Sequence, residues 1–112
     1  MKVIIAGSRD IDDIDVLHDA YGRCRWSITE IVSGGARGVD TMARDFAIYN
    51  TISYKEFLPD WDIGRHAGFI RNDQMAQYAE GLIAIWDGKS KGTKHMIDTM
   101  LNYHKPTYIH FV

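Results

Sequence analysis

Short runs of consecutive apolar residues alternate along this chain with longer stretches in which apolar residues recur every three or four positions. Val3 to Ala6, Thr29 to Val32, Ser53 to Leu58, Leu82 to Trp86 and Thr107 to Phe111 read as strands. The first and fourth runs have no polar alternation, as expected of strands covered on both faces in the middle of a parallel sheet. Between them, Ile14, Leu17, His18, Tyr21 and Cys24 mark a helix over residues 12 to 25. A second helix opens near Val39 and Asp40 and continues through Met42, Ala43, Phe46 and Ala47. A third runs from about His66 to Tyr78 or Ala79, and a fourth through Met96, Ile97, Met100 and Leu101 until Lys105 and Pro106 stop it. Five strands alternating with four helices predict an α/β fold with a doubly wound five-stranded parallel sheet of order 3-2-1-4-5 and helices on both faces.

In such a sheet a ligand sits beyond the carboxyl ends of the strands, where the strand order reverses. Three loops with chemical equipment leave those ends. Gly7-Ser8-Arg9 follows the first strand, Ser33-Gly34-Gly35-Ala36-Arg37-Gly38-Val39-Asp40 the second, and Asp87-Gly88-Lys89-Ser90-Lys91-Gly92-Thr93 the fourth. Glycines let the backbone adopt positive φ and approach a ligand closely, and Gly35 and Gly92 are expected to be needed for one or the other. The two longer loops each open a helix, whose first turn offers unpaired N–H groups to an anion. Both loops are therefore expected to act on one ligand.

Charge sharpens this picture. The formal net charge is only −2, yet Arg9, Arg37, Arg65, His66, Arg71, Lys89, Lys91 and Lys94 all fall in or beside the ligand-side segments. That concentration calls for an anionic small molecule, most simply a phosphate-bearing one. The absence of a global basic field counts against nucleic acid as the partner. Trp61 and Trp86 are candidates for stacking on a base, Trp86 equally for completing the core. Asp60, Asp62, Asp73 and Asp87 are candidates for a general base or for holding a ribose hydroxyl, each with an ordinary turn or capping role as the alternative. Asp10, Asp12, Asp13 and Asp15 crowd a helix start, where acidic residues favour the dipole without need of a metal. The apolar Arg71-Asn72 surroundings on the third helix imply that this pair, if buried, has specific partners. The five histidines show no metal-ligand or triad spacing, and no cofactor is called for.

At 112 residues the chain has room for one core, with Cys24, its single cysteine, on the inner face of the first helix. The apolar start is too short for a signal peptide or a membrane span, so no membrane role and a reducing, cytoplasmic setting are expected.

The strings Gly7-Ser8-Arg9, Ser33 to Asp40, Pro59-Asp60-Trp61, Ala67-Gly68-Phe69-Ile70-Arg71-Asn72 and Trp86 to Thr93, taken in order, resemble the SLOG superfamily, in particular its small YspA/YpsA-related branch. The resemblance implies that residues 1–112 form one SLOG domain binding a nucleotide or an ADP-ribose-like derivative, as sensor or sequestering module. It implies a site lined by Gly7, Ser8, Arg9, Gly34, Gly35, Arg37, Gly38, Asp40, Arg71, Asn72, Gly92 and Thr93, to which Trp61, Asp87, Gly88, Lys89 and Ser90 are added from the loop readings. Relatives that cleave the N-glycosidic bond of nucleoside monophosphates carry a Pro-Gly-Gly-x-Gly-Thr loop followed by glutamates. Here Lys94, His95 and Met96 stand in the glutamates' place, which leaves an N-glycosidase or phosphoribohydrolase as the alternative reading. Relatives of the DNA-processing branch are longer and share the loop from Ser33 to Asp40, which makes single-stranded nucleic-acid binding a further alternative. Homo-oligomerisation is left open.

Overall fold

The computed structural model describes residues Met1–Val112. The strands are β1 (Lys2–Gly7), β2 (Glu30–Ser33), β3 (Ser53–Glu56), β4 (Gly81–Trp86) and β5 (Thr107–Phe111), all parallel, in the order β3-β2-β1-β4-β5. The helices α1 (Ile14–Cys24), α2 (Val39–Tyr49), α3 (Ala67–Tyr78) and α4 (Lys91–Asn102) connect them. The predicted fold class and strand order are those observed.

The apolar runs become a sheet covered on both sides because successive side chains of a strand point to opposite faces. Val3 and Ile5 of β1, with Ile31, Ile83 and Ile85, pack against Leu17, Ala20, Ala43, Phe46 and Ala47 of α1 and α2. Ile4 and Ala6, with Val32, Leu82 and Ala84, pack against Met75 and Ala76 of α3 and Met96, Ile97 and Met100 of α4. Cys24 is a half-buried free thiol packed beside the first of these cores, on the inner face expected for it.

Element ends move by a few residues, for visible reasons. Asp13 caps α1 by accepting from the Asp15 amide at 3.0 Å, and Arg25 ends the helix in the left-handed region at φ 59°. β3 stops at Glu56, short of the expected Leu58, which is 65% exposed. β3 lies at the sheet's edge, and only β2 is present to extend its ladder. A single turn of 3₁₀-helix over Trp61–Ile63 occupies what reads as loop, nucleated by Asp60 accepting from the Asp62 amide at 3.1 Å.

Candidate functional site

The carboxyl end of β1 is where three elements meet. A Cβ on Gly7 would lie 2.3 Å from the Ile85 carbonyl of β4 and 2.7 Å from Val39 Cγ2 of α2, so only glycine fits there. The next residue uses all of its main chain: the Ser8 amide donates to Ile85 O, and its carbonyl accepts from the Ile11 and Val39 amides. Its side chain does not follow suit. Ser8 Oγ is buried, lines the cleft and has no hydrogen-bond partner.

The β2–α2 loop is locked against the β1–α1 loop. Gly38 has φ 77°, and a Cβ there would lie 2.4 Å from Arg9 O. Gly38 offers α2 no side-chain cap, and of the first-turn amides that of Val39 donates to Ser8 O. Asp40, in that first turn, is 7% exposed and accepts from the Ala36 amide at 3.2 Å. Burial raises its carboxyl to about 6, against the opposing pull of the Ala36 N–H and of the Arg71 and Arg9 guanidiniums.

Arg71 is the tie between loops. Its Nη1 donates to Gly34 O and, at 3.3 Å, to Phe57 O, while its Nε donates to Asn72 Oδ1 at 3.0 Å. Burial lowers its pKa from a value so high that it stays a cation. Asn72 Nδ2 in turn faces Gly92 O at 3.4 Å and His95 Nδ1 at 3.1 Å. The His95 ring stacks on Phe69 at 4.1 Å between centroids, and burial lowers its pKa. Buried Asn72 and half-buried Arg71 thus have the specific partners the sequence called for. Together they join the β2–α2 loop to α4.

The third loop closes the other wall. Asp87 Oδ1 accepts from the Lys89 and Ser90 amides, both at 2.8 Å. Those two N–H groups, Ser90 first, hold its carboxyl below the usual carboxylate range, and the nearby Ser8 hydroxyl pulls weakly in the same direction without forming a hydrogen bond of its own. Ser90 Oγ caps α4 by accepting from the Thr93 amide at 3.4 Å. Trp86 donates Nε1–H to Ser90 O at 3.0 Å and packs beside Phe111, so it completes the loop and core and lines no cavity.

These loops enclose two adjoining cavities. The larger, about 530 Å³, brings together eleven of the expected residues: Gly7, Ser8, Arg9, Asp40, Arg71 and Asn72 from one side, and Asp87, Lys89, Ser90, Gly92 and Thr93 from the other. The smaller, about 470 Å³, is lined by Gly34, Gly35, Arg37 and Trp61, with Leu58 and Pro59. Arg9, Ala36 and Arg71 line both. Ala6, Asp10, Ala36, Met75 and Met96 of the larger cavity and Leu58 and Pro59 of the smaller were missed by sequence reasoning. Asp10 and Ala36 adjoin expected site residues, whereas the methionines carry only a core signal.

Several expected roles change. Gly38 and Gly88 line neither cavity; at φ 77° and 79° they shape the loop backbones. Gly92 needs no positive φ, because it lies in the first turn of α4, and a Cβ there meets nothing within 4 Å. Arg37 belongs to the smaller cavity, with a side chain 77% exposed and only a loose 3.7 Å approach to Asp10. Arg65, His66, Lys91 and Lys94 line neither cavity, and Lys94 pairs with Asp98 along α4 at 2.8 Å. Asp60 serves the 3₁₀ turn, and Asp73 accepts from Gln77 and Tyr103, away from the cleft. Of the four candidate carboxylates only Asp87 reaches the site. No cluster of His, Cys, Asp and Glu has the arrangement of a metal site. No helix is long and apolar enough to cross a membrane.

The fold and this cleft define a class: a Rossmann-like α/β protein with a crevice at the topological switch point, lined by Arg9, Arg71 and Lys89 and by Asp10, Asp40 and Asp87. A family model, YAcAr, the YspA, cpYpsA-related SLOG family, matches residues 1–64, and the chain belongs to that family. The fold is also similar to that of DNA processing protein A (DprA) from Streptococcus pneumoniae, with a TM-score of 0.79 at 17% sequence identity. That match covers 96% of this chain and 49% of DprA, so the chain spans about half the length of that relative. No curated protein matches it.

Proposed function

We propose that this chain binds a nucleotide or nucleotide-derived phosphate ligand of the ADP-ribose type in the larger cavity, as a sensor or sequestering module. The observation that carries the reading is Ser8 Oγ, a buried hydroxyl without a partner that faces a cleft walled by Arg9 and Arg71. Buried polar groups in folded proteins are hydrogen-bonded, so this hydroxyl, beside the Asp87 carboxyl, is open to a further partner in the cleft. The Arg9 and Arg71 guanidiniums and the start of α2, which has no side-chain cap, favour an anionic partner. Family membership supports the same class of ligand.

Calorimetry with ADP and ADP-ribose tests this. Wild type binds, and Arg9→Ala weakens binding by about tenfold or more, the loss expected for a charge-assisted hydrogen bond. Arg9 is exposed, so its removal leaves the fold intact, whereas Arg71 also holds the loops together. Ser8→Ala lowers affinity severalfold without lowering the stability of the free protein, because it removes a group that is unsatisfied there. Absence of binding to either ligand refutes the reading.

One observation favours N-glycosidic cleavage as a second reading: Asp40 and Asp87 share the cleft with pKa values moved in opposite directions, as in an acid–base pair. Against it, Asp40 is engaged by the Ala36 amide and organises its own loop. The positions that would carry catalytic glutamates hold Lys94, His95 and Met96, of which Met96 is buried. Chromatography of AMP incubated with the protein decides the point, and we expect no free base at enzyme-like rates.

A further inference from the structure

The two cavities meet along Arg9, Ala36 and Arg71, so an anion held by these arginines has room on both sides of it. The two sides differ in chemistry. The larger offers hydroxyls and carboxylates, from Ser8, Asp10 and Asp87, to the polar groups of a nucleoside. The smaller offers an apolar wall of Leu58, Pro59 and Trp61, with Arg37 at its rim.

Trp61 is the feature the fold does not explain. It starts the short 3₁₀ turn, is 59% exposed and joins neither core cluster. It stacks on no other aromatic ring of the chain. Its edge overlies Gly68 at the start of α3, where a Cβ would lie 3.8 Å from Trp61 Cη2. A large ring is therefore held from one edge while it lines a cavity of about 470 Å³. Indole faces bind flat aromatic rings by stacking, independently of their hydrogen-bond pattern.

Building on the proposed nucleotide site, we propose that the smaller cavity is a second ring subsite, in which Trp61 stacks on a base while Arg9 and Arg71 hold a bridging diphosphate, making dinucleoside diphosphates the preferred ligand class over mononucleotides and ADP-ribose. The apolar wall is what separates this class from ADP-ribose, whose second half is a ribose and offers an indole no flat aromatic ring to stack on. Arg37 adds charge at the rim, and its loose approach to Asp10 is no obstacle to its turning towards a ligand.

The test is calorimetric titration of wild type, Trp61→Ala and Trp61→Phe with ADP, ADP-ribose, diadenosine diphosphate and a short oligothymidylate. Diadenosine diphosphate binds wild type about tenfold more tightly than ADP-ribose, in line with the contribution of one stacked base. Trp61→Ala removes that advantage, Trp61→Phe keeps most of it, and the affinity for ADP changes less than twofold in either variant. Intrinsic fluorescence gives a second readout: diadenosine diphosphate quenches wild-type emission more strongly than that of Trp61→Phe, which retains Trp26 and Trp86. If ADP binds but diadenosine diphosphate has no advantage, or if Trp61→Ala weakens every ligand equally, the subsite is refuted and the nucleotide site stands. Tighter binding of oligothymidylate than of diadenosine diphosphate also overturns it, in favour of a strand-binding surface. Failure of all four ligands overturns the subsite and the nucleotide site together.

Discussion

Asp40 shows how one side chain carries both fold and site. Its carboxyl pairs with the Ala36 amide, yet burial outweighs that bond and the nearby guanidiniums, lifting the pKa from 3.8 to about 6. Because the folded chain binds this proton more tightly than the unfolded chain does, Asp40 makes stability fall as pH rises from about 4 through about 6. The loss levels off near 3 kcal/mol at most, from roughly two units of pKa at 1.36 kcal/mol each. Asp40→Asn is therefore expected to be more stable than wild type at about pH 7.5 and to lose that margin by about pH 4. Urea denaturation at the two pH values checks this, and a margin that does not change with pH would mean the carboxyl titrates normally. The same charge opposes an anionic ligand. Affinity for ADP-ribose, whose diphosphate does not titrate near neutrality, is expected to rise as pH falls from about 7.5 to about 5.5, and Asp40→Asn to flatten the profile.

At the scale of elements, the glycine loops divide into positions the fold requires and positions only a ligand would require. Gly38, with φ 77° and the Arg9 backbone 2.4 Å from where a Cβ would lie, is of the first kind. Gly38→Ala is expected to cost about 2 kcal/mol or more through a backbone conformation reserved for glycine. Gly92 is of the second kind: it sits in a helical turn, has open space around it and lines the larger cavity. Gly92→Val is expected to keep stability within about 1 kcal/mol of wild type, since valine is no worse than glycine in a helix, and to abolish ADP-ribose binding by filling the cleft. Circular dichroism melts and titrations of the two variants separate these effects. Normal binding by Gly92→Val would reduce the β4–α4 loop to a structural turn.

At the scale of the whole molecule, the formal charge of −2 is set against a small local concentration of cations. Arg9, Arg37, Arg71 and Lys89 are the basic residues that line the two cavities. Four cations neutralise at most four phosphates, so binding of oligothymidylate should weaken with salt along a log–log slope no steeper than about −3, at roughly −0.7 per phosphate for a single strand. Filter binding between about 50 and 200 mM salt measures it. A steeper slope would show a strand-binding path that extends beyond the two cavities.

Helix placement and the three βα loops were legible in the sequence because each rests on local information, and the strand order followed from the doubly wound class that this alternation defines. Unbroken apolar runs mark strands buried on both faces, Val3/Ile5 and Ile4/Ala6 dividing between the two cores as the period of a strand requires. Glycine and acidic residues mark the turns and helix starts. Loop pattern and family resemblance together located most of the cavity-lining residues, since a parallel sheet sends every βα loop to one edge. Which loop residue points inward was decided only by tertiary packing. Arg9 and Arg71 reach the shared wall, whereas Arg65, His66 and Lys94, equally basic and equally near in sequence, point elsewhere. The same holds for Asp87 against Asp60 and Asp73, for Gly92 against Gly38, and for Met75 and Met96, core residues whose ends form a cavity floor. The unsatisfied Ser8 hydroxyl and the division into two cavities exist only once β1, β4 and α2 converge. Burial and direction belong to the assembled fold, because they depend on residues brought together from distant parts of the chain.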